Sequence, residues 1–390
     1  MVRDPDEEHR AASPLELLFD LTAVVAVARA AAGLHHELAG DHIATALAGY
    51  AGVFFSVWWA WMNFTWFASA HDGDDIPFRL LTLVQMGGVL VLAAGVTAAL
   101  EDERYLAVTV GYGIMRCGLV AGWLRVARDE PANRTRAFRY AGGITVLWWL
   151  WFARLALPDE LQFPTLVILA VCEMTVPVWA ERAVDRPVFH PGHIEERYGL
   201  FTIIVLGESI LSATTGIQIA LDETGLTTEL LTIGVSGLLI AFAAWWIYFD
   251  HPGHLAPTPD LSFRWGYAHV VIFAALAAIG AGLHLASEAA TGHAGERTAA
   301  LAVAVPTAGY LLGLALVMVI AGIGLTDERV WPKPTGAAVL VVIGLVLPLE
   351  LAVAGSALVM AFLATTMVLS GSRSAPDSPG SSSEPLVGSP

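Results

Sequence analysis

Residues Pro14–Ala28 read PLELLFDLTAVVAVA, and residues His193–Leu211 read HIEERYGLFTIIVLGESIL. Both are apolar runs of helical length. Both carry carboxylates: Glu16 and Asp20 in the first, Glu195, Glu196 and Glu208 in the second. In hydrocarbon an ionised side chain costs ~2.5–3.5 kcal/mol by insertion scales, and a chain keeps one there only where it faces a partner, a cavity or a path. These two runs therefore decide the fold, as membrane-crossing helices, and mark where the protein works.

The remainder of the chain has the same character. Of 390 residues, 56% are hydrophobic and 14% charged, whereas soluble domains carry about 25% charged residues. Runs close to the ~20 residues that cross ~30 Å of hydrocarbon recur near 15–34, 43–67, 79–100, 104–126, 137–156, 163–182, 199–219, 228–250, 264–286, 298–321, 336–352 and 354–371. Residues 336–371 form one apolar stretch interrupted by Pro348 and Glu350. It is too long for a single crossing and reads as a tight hairpin. The expected fold class is all-α, a polytopic transmembrane helix bundle of about 12 spans.

Charge narrows the function. The net charge is −16 with no basic face, which excludes nucleic acid as a partner, because phosphate neutralisation requires one. The partners expected are the lipid bilayer and a small solute or ion. Cys117 and Cys172 fall inside predicted helices and read as free thiols. The acidic N-terminus, MVRDPDEEHR, lacks the basic segment of a cleavable signal, so the first span is expected to act as its own insertion signal. With the N-terminus inside, fifteen of the twenty Lys and Arg fall on the cytoplasmic side, and only Arg104, Arg154 and Arg297 fall outside. That asymmetry puts both termini in the cytoplasm.

The two halves echo each other. Trp58-Trp59-Ala60-Trp61 ends span two and leads through a His/Asp loop to Phe78-Arg79. Trp245-Trp246-Ile247-Tyr248 ends span eight and leads through another to Phe263-Arg264. The spans that follow finish near Gly95 and Gly282, and spans four and ten carry Gly118–Gly122 and Gly309–Gly313 as GxxxG pairs. An offset of six spans preserves orientation, so the expectation is a parallel 6+6 repeat, an architecture used by secondary transporters. The domains expected are a tail at 1–13, a first repeat at 14–182, a cytoplasmic linker at 183–198, a second repeat at 199–371, and a Ser/Pro/Gly-rich disordered tail at 372–390.

Several residues are candidates for chemistry. Glu208 lies mid-span with Ser212 and Thr215 on its face, as a proton or cation relay or as a structural pair. Glu16 and Asp20 lie one turn apart on one helix face. Arg29, nine residues beyond Asp20, points to the opposite side of that helix; it either snorkels or pairs with Glu208. Arg116 and Glu173 sit mid-span and read as a buried pair, with Pro177 freeing a backbone carbonyl beside Glu173. Asn63, Gln85 and His269 are candidates to line a cavity with Asp20. The loops His71–Asp75 and Asp250–His254 with Asp260 match no defined metal spacing, so no metal ligand is assigned. No phosphate-cradling glycine loop, HExxH, GxSxG or CxxC is present. No catalytic residue and no cofactor are assigned.

The motifs PLELLFD at 14–20, WFASAHDGDDIPFRLLTLVQMGGVLVLAAGV at 66–96 and GLFTIIVLGESIL at 199–211, the last after Glu196-Arg197, resemble the bacterial low temperature requirement A family. The resemblance implies a multi-spanning inner-membrane protein whose biochemical activity the family name does not state. It points to Glu16, Asp20, Asp72, Asp74, Asp75, Glu196, Arg197, Gly207, Glu208 and Ser209 as motif positions. The leading functional reading is a proton- or cation-coupled secondary transporter using Glu208 and Asp20. The rivals are a membrane-embedded enzyme acting on a lipid or isoprenoid, and a non-catalytic envelope protein.

Overall fold

The computed structural model describes residues 10–40, 42–183, 189–250 and 259–371. The His/Asp loop at 251–258, both expected tails beyond these bounds, and residues 184–188 of the expected linker lie outside the described residues. Among the described residues the chain is all-helical and has no strand. Its helices are α1 (Pro14–Ala39), α2 (Ile43–His71), α3 (Ile76–Glu101), α4 (Leu106–Asp129), α5 (Arg134–Arg154), α6 (Asp159–Glu181), α7 (Pro191–Thr224), α8 (Thr228–Phe249), α9 (Pro259–Ala290), α10 (Glu296–Ile320), α11 (Pro332–Val346) and α12 (Leu349–Gly371). A single 3-10 turn, Pro131–Asn133, joins α4 to α5.

Ten of these helices are long and apolar enough to cross a membrane. The two that fall short do so for different reasons. Helix α5 opens with Arg134, Arg136 and Arg139 and closes with Arg154. Helix α11 has only 15 residues, a rise of about 22 Å. In hydrocarbon only helices or closed barrels satisfy every backbone donor and acceptor, and this chain uses helices. Their starts are written in the sequence. Ser13 caps α1 in a reciprocal capping box with Glu16, followed by Pro14 at the first position. Asp75 accepts from the Phe78 amide to cap α3, and Thr227 accepts from the Leu230 amide to cap α8.

Several helix boundaries differ from the sequence expectation. Helix α7 begins at Pro191 rather than at 199, so Arg197 belongs to a helix and not to a linker. Its polar first turns hid this, because hydropathy sees only the apolar part. Helix α9 starts at Pro259 rather than 264. The hairpin near the C-terminus turns at Leu347-Pro348 rather than near 353: Leu347 is extended, with ψ 153°, as the residue before a proline prefers. Glu350 then sits in the first turn of α12.

The helices alternate in direction. The starts of α1, α3, α5, α7, α9 and α11 share one end, called proximal below; the opposite end is distal. The core centres on α2 and α9. Trp58, Trp59 and Trp61 of α2 have no exposed surface, so this motif is not a membrane-interface belt. Trp61 stacks on Phe201 of α7 at 4.2 Å, and Phe64 stacks on Phe19 of α1 at 3.9 Å. Tight crossings rely on glycine. A Cβ on Gly111 of α4 would lie 2.3 Å from the Leu92 nitrogen of α3, and one on Gly282 of α9 would lie 2.1 Å from the Ala302 oxygen of α10. We predict that Gly111→Leu and Gly282→Leu each lower stability by at least ~1–3 kcal/mol through overpacking. Gly87→Leu, whose Cβ would meet nothing within 4 Å, should leave the detergent-solubilised melting curve unchanged.

Candidate functional site

A cluster of buried charges at the proximal end joins α1 to α7. The capping box aims Glu16 inward: its Oε2 accepts from the Ser13 amide at 2.8 Å, and the Ser13 hydroxyl accepts from the Glu16 amide at 3.3 Å. Glu16 Oε1 lies 3.0 Å from Arg197 Nη1 and 3.2 Å from His193 Nε2. One turn on, Asp20 Oδ1 accepts from Arg197 Nη2 at 2.5 Å and from Trp61 Nε1 at 2.6 Å. The i, i+4 spacing of Glu16 and Asp20 on α1 is thus matched by the i, i+4 spacing of His193 and Arg197 on α7. Glu16, Asp20, His193 and Arg197 are each at most 1% exposed.

Arg10 extends the cluster to α2. Its guanidinium donates to the Ser69 carbonyl and, at 2.7 Å, to the Ala68 carbonyl, which also accepts the Asp72 amide at the end of that helix. It also lies 3.9 Å from both Glu16 and Asp72. Among the described residues two guanidinium groups, Arg10 and Arg197, face three carboxylates, Glu16, Asp20 and Asp72, with His193 beside Glu16.

The second centre lies mid-bundle in the first half. Glu173 of α6 is 1% exposed. Its Oε1 accepts from Tyr112 at 2.8 Å and Trp151 at 3.2 Å, and its Oε2 accepts from Trp59 at 2.9 Å. Arg116 Nη2 stands 3.6 Å from Oε2 and donates to the Tyr112 hydroxyl. Arg116 Nε and Nη1 are buried with no hydrogen-bond partner among the described residues. Above this centre a cavity of about 790 Å³ opens at the distal end between α2, α3, α4, α5 and α6, with Tyr112 and Trp151 at its floor and Arg104, Arg154 and Asp159 among its lining residues. Trp59 and Trp61, neighbours on one helix, therefore serve the two centres separately.

A third network closes the first half at its proximal end. Arg136 donates to His71 Nε2 at 2.9 Å, and His71 Nδ1 faces Glu130 at 3.3 Å. Arginine only donates, so Nε2 accepts and the proton sits on Nδ1, directed at Glu130. Glu181 lies 3.6 Å from Arg136 and accepts from Tyr140 at 3.0 Å. In the loop beyond α4, burial pushes the Glu130 carboxyl up, but the hydrogen bonds from His71 and Asn133 outweigh it and hold it below its ordinary value.

The sequence candidates divide between these places. Glu16, Asp20 and Arg197 come together in the proximal cluster, and Arg116 and Glu173 pair as the spacing suggested. The three loop carboxylates each meet an arginine: Asp72 faces Arg10, Asp74 accepts from Arg79 at 2.9 and 3.0 Å, and Asp75 accepts from Arg125 at 2.8 Å. That Arg125 hydrogen bond holds the Asp75 carboxyl below the usual carboxylate range. Glu196 accepts from the Ala12 amide at 3.2 Å. Ser209 donates to the Leu276 carbonyl of α9 at 2.7 Å, and Ser212 lies 3.3 Å from the Gly280 carbonyl. Glu208 is half-buried with no ion pair or hydrogen bond among the described residues, and Gly207 beside it is exposed. Arg29 is exposed and does not pair with Glu208. Sequence reasoning missed Arg10, His193, Trp61 and Tyr112. The His193–Arg197 spacing was the available signal, since it complements Glu16–Asp20.

Ten apolar spans around buried ion networks define a polytopic helical membrane protein. The profile described as bacterial low temperature requirement A protein (LtrA) matches residues 11–371, nearly the whole chain, and the chain belongs to that family. It is also 27% identical over 261 residues to the uncharacterized protein RA0937 of Rhizobium meliloti (strain 1021). The match covers 65% of this chain and 61% of that relative's length.

Removing one partner from a buried pair leaves the other charge uncompensated, at ~3–5 kcal/mol. Arg197→Met should therefore destabilise the folded protein by about that amount in detergent thermal or denaturant unfolding. The double variant Glu16→Gln/Asp20→Asn should recover part of the loss when added to Arg197→Met.

Proposed function

We propose that this protein is a secondary transporter of the bacterial cytoplasmic membrane, moving a small solute or ion with proton or cation coupling at buried carboxylates. The observation that carries this reading is the distal cavity, whose lining includes Tyr112 and Trp151, the two residues that donate to Glu173 Oε1. Below that floor, the proximal end is closed by the His71–Arg136–Glu181 network and the Glu16–Asp20–Arg197 cluster. One side open and the other locked by breakable polar contacts is the arrangement that alternating access requires. In this reading solute descends to Tyr112 and Trp151, Glu173 and Arg116 are the coupling centre, and separation of Arg197 from Asp20 and Glu16 opens the proximal side. Glu208, with Ser212 on its face, is a second protonation site in α7.

A parallel 6+6 repeat, residues 14–182 and 199–371, belongs to the same proposal. The packing supports it: α1 packs on α3 and α3 on α4, as α7 packs on α9 and α9 on α10. Gly95 and Gly282, in corresponding helices, each mark a place where a Cβ would strike the next helix in its first turns. The positive-inside asymmetry supports a cytoplasmic side for the proximal end, both termini and the 183–198 segment. Transport is favoured over a metal-dependent enzyme built on the Asp72–Asp75 loop because Arg10, Arg79 and Arg125 already face those carboxylates.

The test is a screen of small solutes against sealed proteoliposomes carrying an internal pH dye. At least one solute should drive a pH change that Glu173→Gln reduces tenfold or more at equal folded protein. A response unchanged in Glu173→Gln, or no solute-driven pH change or current at all, sinks this reading. Carbodiimide labelling should separately mark Glu208, which has no partner, in preference to Glu173, which is held by three donors and Arg116. Equal labelling at both would remove the distinction drawn between them.

A further inference from the structure

At the distal end, on the far side of the bundle from the proximal cluster, His35 of α1 meets His284 and Glu288 of α9. The two imidazoles stack with centroids 4.1 Å apart and planes at 18°. His284 and Glu288 are one turn apart, so both face α1. The donor atoms of all three lie within 4.8 Å of one another. His35 Nε2 is 2.9 Å from Glu288 Oε2, and His284 Nε2 is 3.9 Å from Oε1. Even so, both Nε2 atoms are buried and make no hydrogen bond among the described residues.

Two imidazoles stacked beside a single carboxylate are unfavourable as a purely structural element. One carboxylate faces both rings, and protonating both would set two cations face to face. A cation between the three donors resolves both costs at once. Two imidazoles and a carboxylate are the donor set of a divalent first-row transition ion such as zinc. The three atoms need draw in by under about 1 Å to reach ligand distances of ~2.0–2.2 Å. Backbone packing fixes one ligand already. A Cβ on Gly216 of α7 would lie 2.7 Å from His284 Cδ2 and 2.9 Å from His284 Cα, so α7 presses directly on that residue.

We infer that His35, His284 and Glu288 form a binding site for one divalent transition-metal ion of the zinc class, which pins the distal end of α1 to α9. Its occupancy would fix the separation of the two halves at the end opposite the Arg197 cluster. This inference does not rest on the transport reading; metal binding can be measured with no solute identified.

The experiment uses full-length protein in detergent, freed of any histidine tag and stripped with chelator. Cobalt(II) titration, read by visible absorption, and zinc retention after dialysis, read by elemental analysis, are compared across variants. Wild type should bind one equivalent, with cobalt bands of four- or five-coordinate intensity. His35→Ala and His284→Ala should each weaken binding tenfold or more, Glu288→Gln should weaken it and change the band positions, and His36→Ala should leave both readouts unchanged. Binding that survives in His35→Ala/His284→Ala, or wild type that takes up no saturable equivalent, overturns the assignment. If His284→Ala fails to fold, His284→Gln with the wild-type cobalt spectrum decides: a spectrum like that of hydrated, octahedral cobalt also overturns it.

Discussion

The guanidinium of Arg197 is the constraint from which the rest of the architecture follows. It is fully buried, beside two carboxylates that are also buried. Neither sign survives that environment alone, since each ion removed from water costs several kcal/mol unless its partner is in place. The pair therefore dictates that α1 and α7, separated by five helices in sequence, lie side by side with Glu16 level with His193 and Asp20 level with Arg197. It also explains why α7 begins at Pro191 with a polar first turn. The helix must reach beyond its apolar span to carry those side chains to α1.

Helix α2 carries this constraint to the second charged centre. Residues two apart on a helix point to nearly opposite sides, and Trp59 and Trp61 use that geometry: one donates to Glu173, the other to Asp20. Indole N–H groups suit the task, because each gives a carboxylate a donor without adding a charge while its ring fills apolar space. A helix holding both carboxylates through neighbouring side chains cannot rotate to suit one without disturbing the other. The aromatic density of α2, with Trp58, Trp59 and Trp61 all without exposed surface, follows from this shared duty.

The parts legible in the sequence were those fixed by local rules. Length and hydropathy marked the spans, and the mid-span depth of Arg116 and Glu173 marked them as a buried pair. The junction of α1 with α7 was not legible as a pair. Arg197 lay just outside the apolar window and read as a loop residue, so hydropathy separated it from Asp20. Trp61 and Tyr112 could not be picked out as donors, since a sequence shows an aromatic ring but not what its polar atom faces. The meeting of His35 with His284 and Glu288 depends wholly on how α1 packs against α9, which no spacing within one helix encodes. Glu208 is the reverse case: it looked the sharpest of all in sequence and has no ion pair or hydrogen bond among the described residues.

The contacts between the halves differ in kind with depth, and this bears on how they can move. At the proximal end they are charge to charge. In the middle they are neutral: Tyr50 donates to the Ala274 carbonyl at 2.7 Å, and Tyr267 donates to the Met174 carbonyl at 2.8 Å. The latter contact falls where Pro177 interrupts the backbone ladder of α6, one residue past Glu173. Charge-assisted hydrogen bonds are roughly twice as strong as neutral ones, so the proximal end resists separation most. The middle contacts, made by single hydroxyls to carbonyls, tolerate a change of angle without loss. In the transport reading proposed above, a pivot placed there would let one end part as the other closes. The Glu173 centre would sit beside it, where a change in its charge would act on the packing of α6 against α9 with the shortest mechanical path.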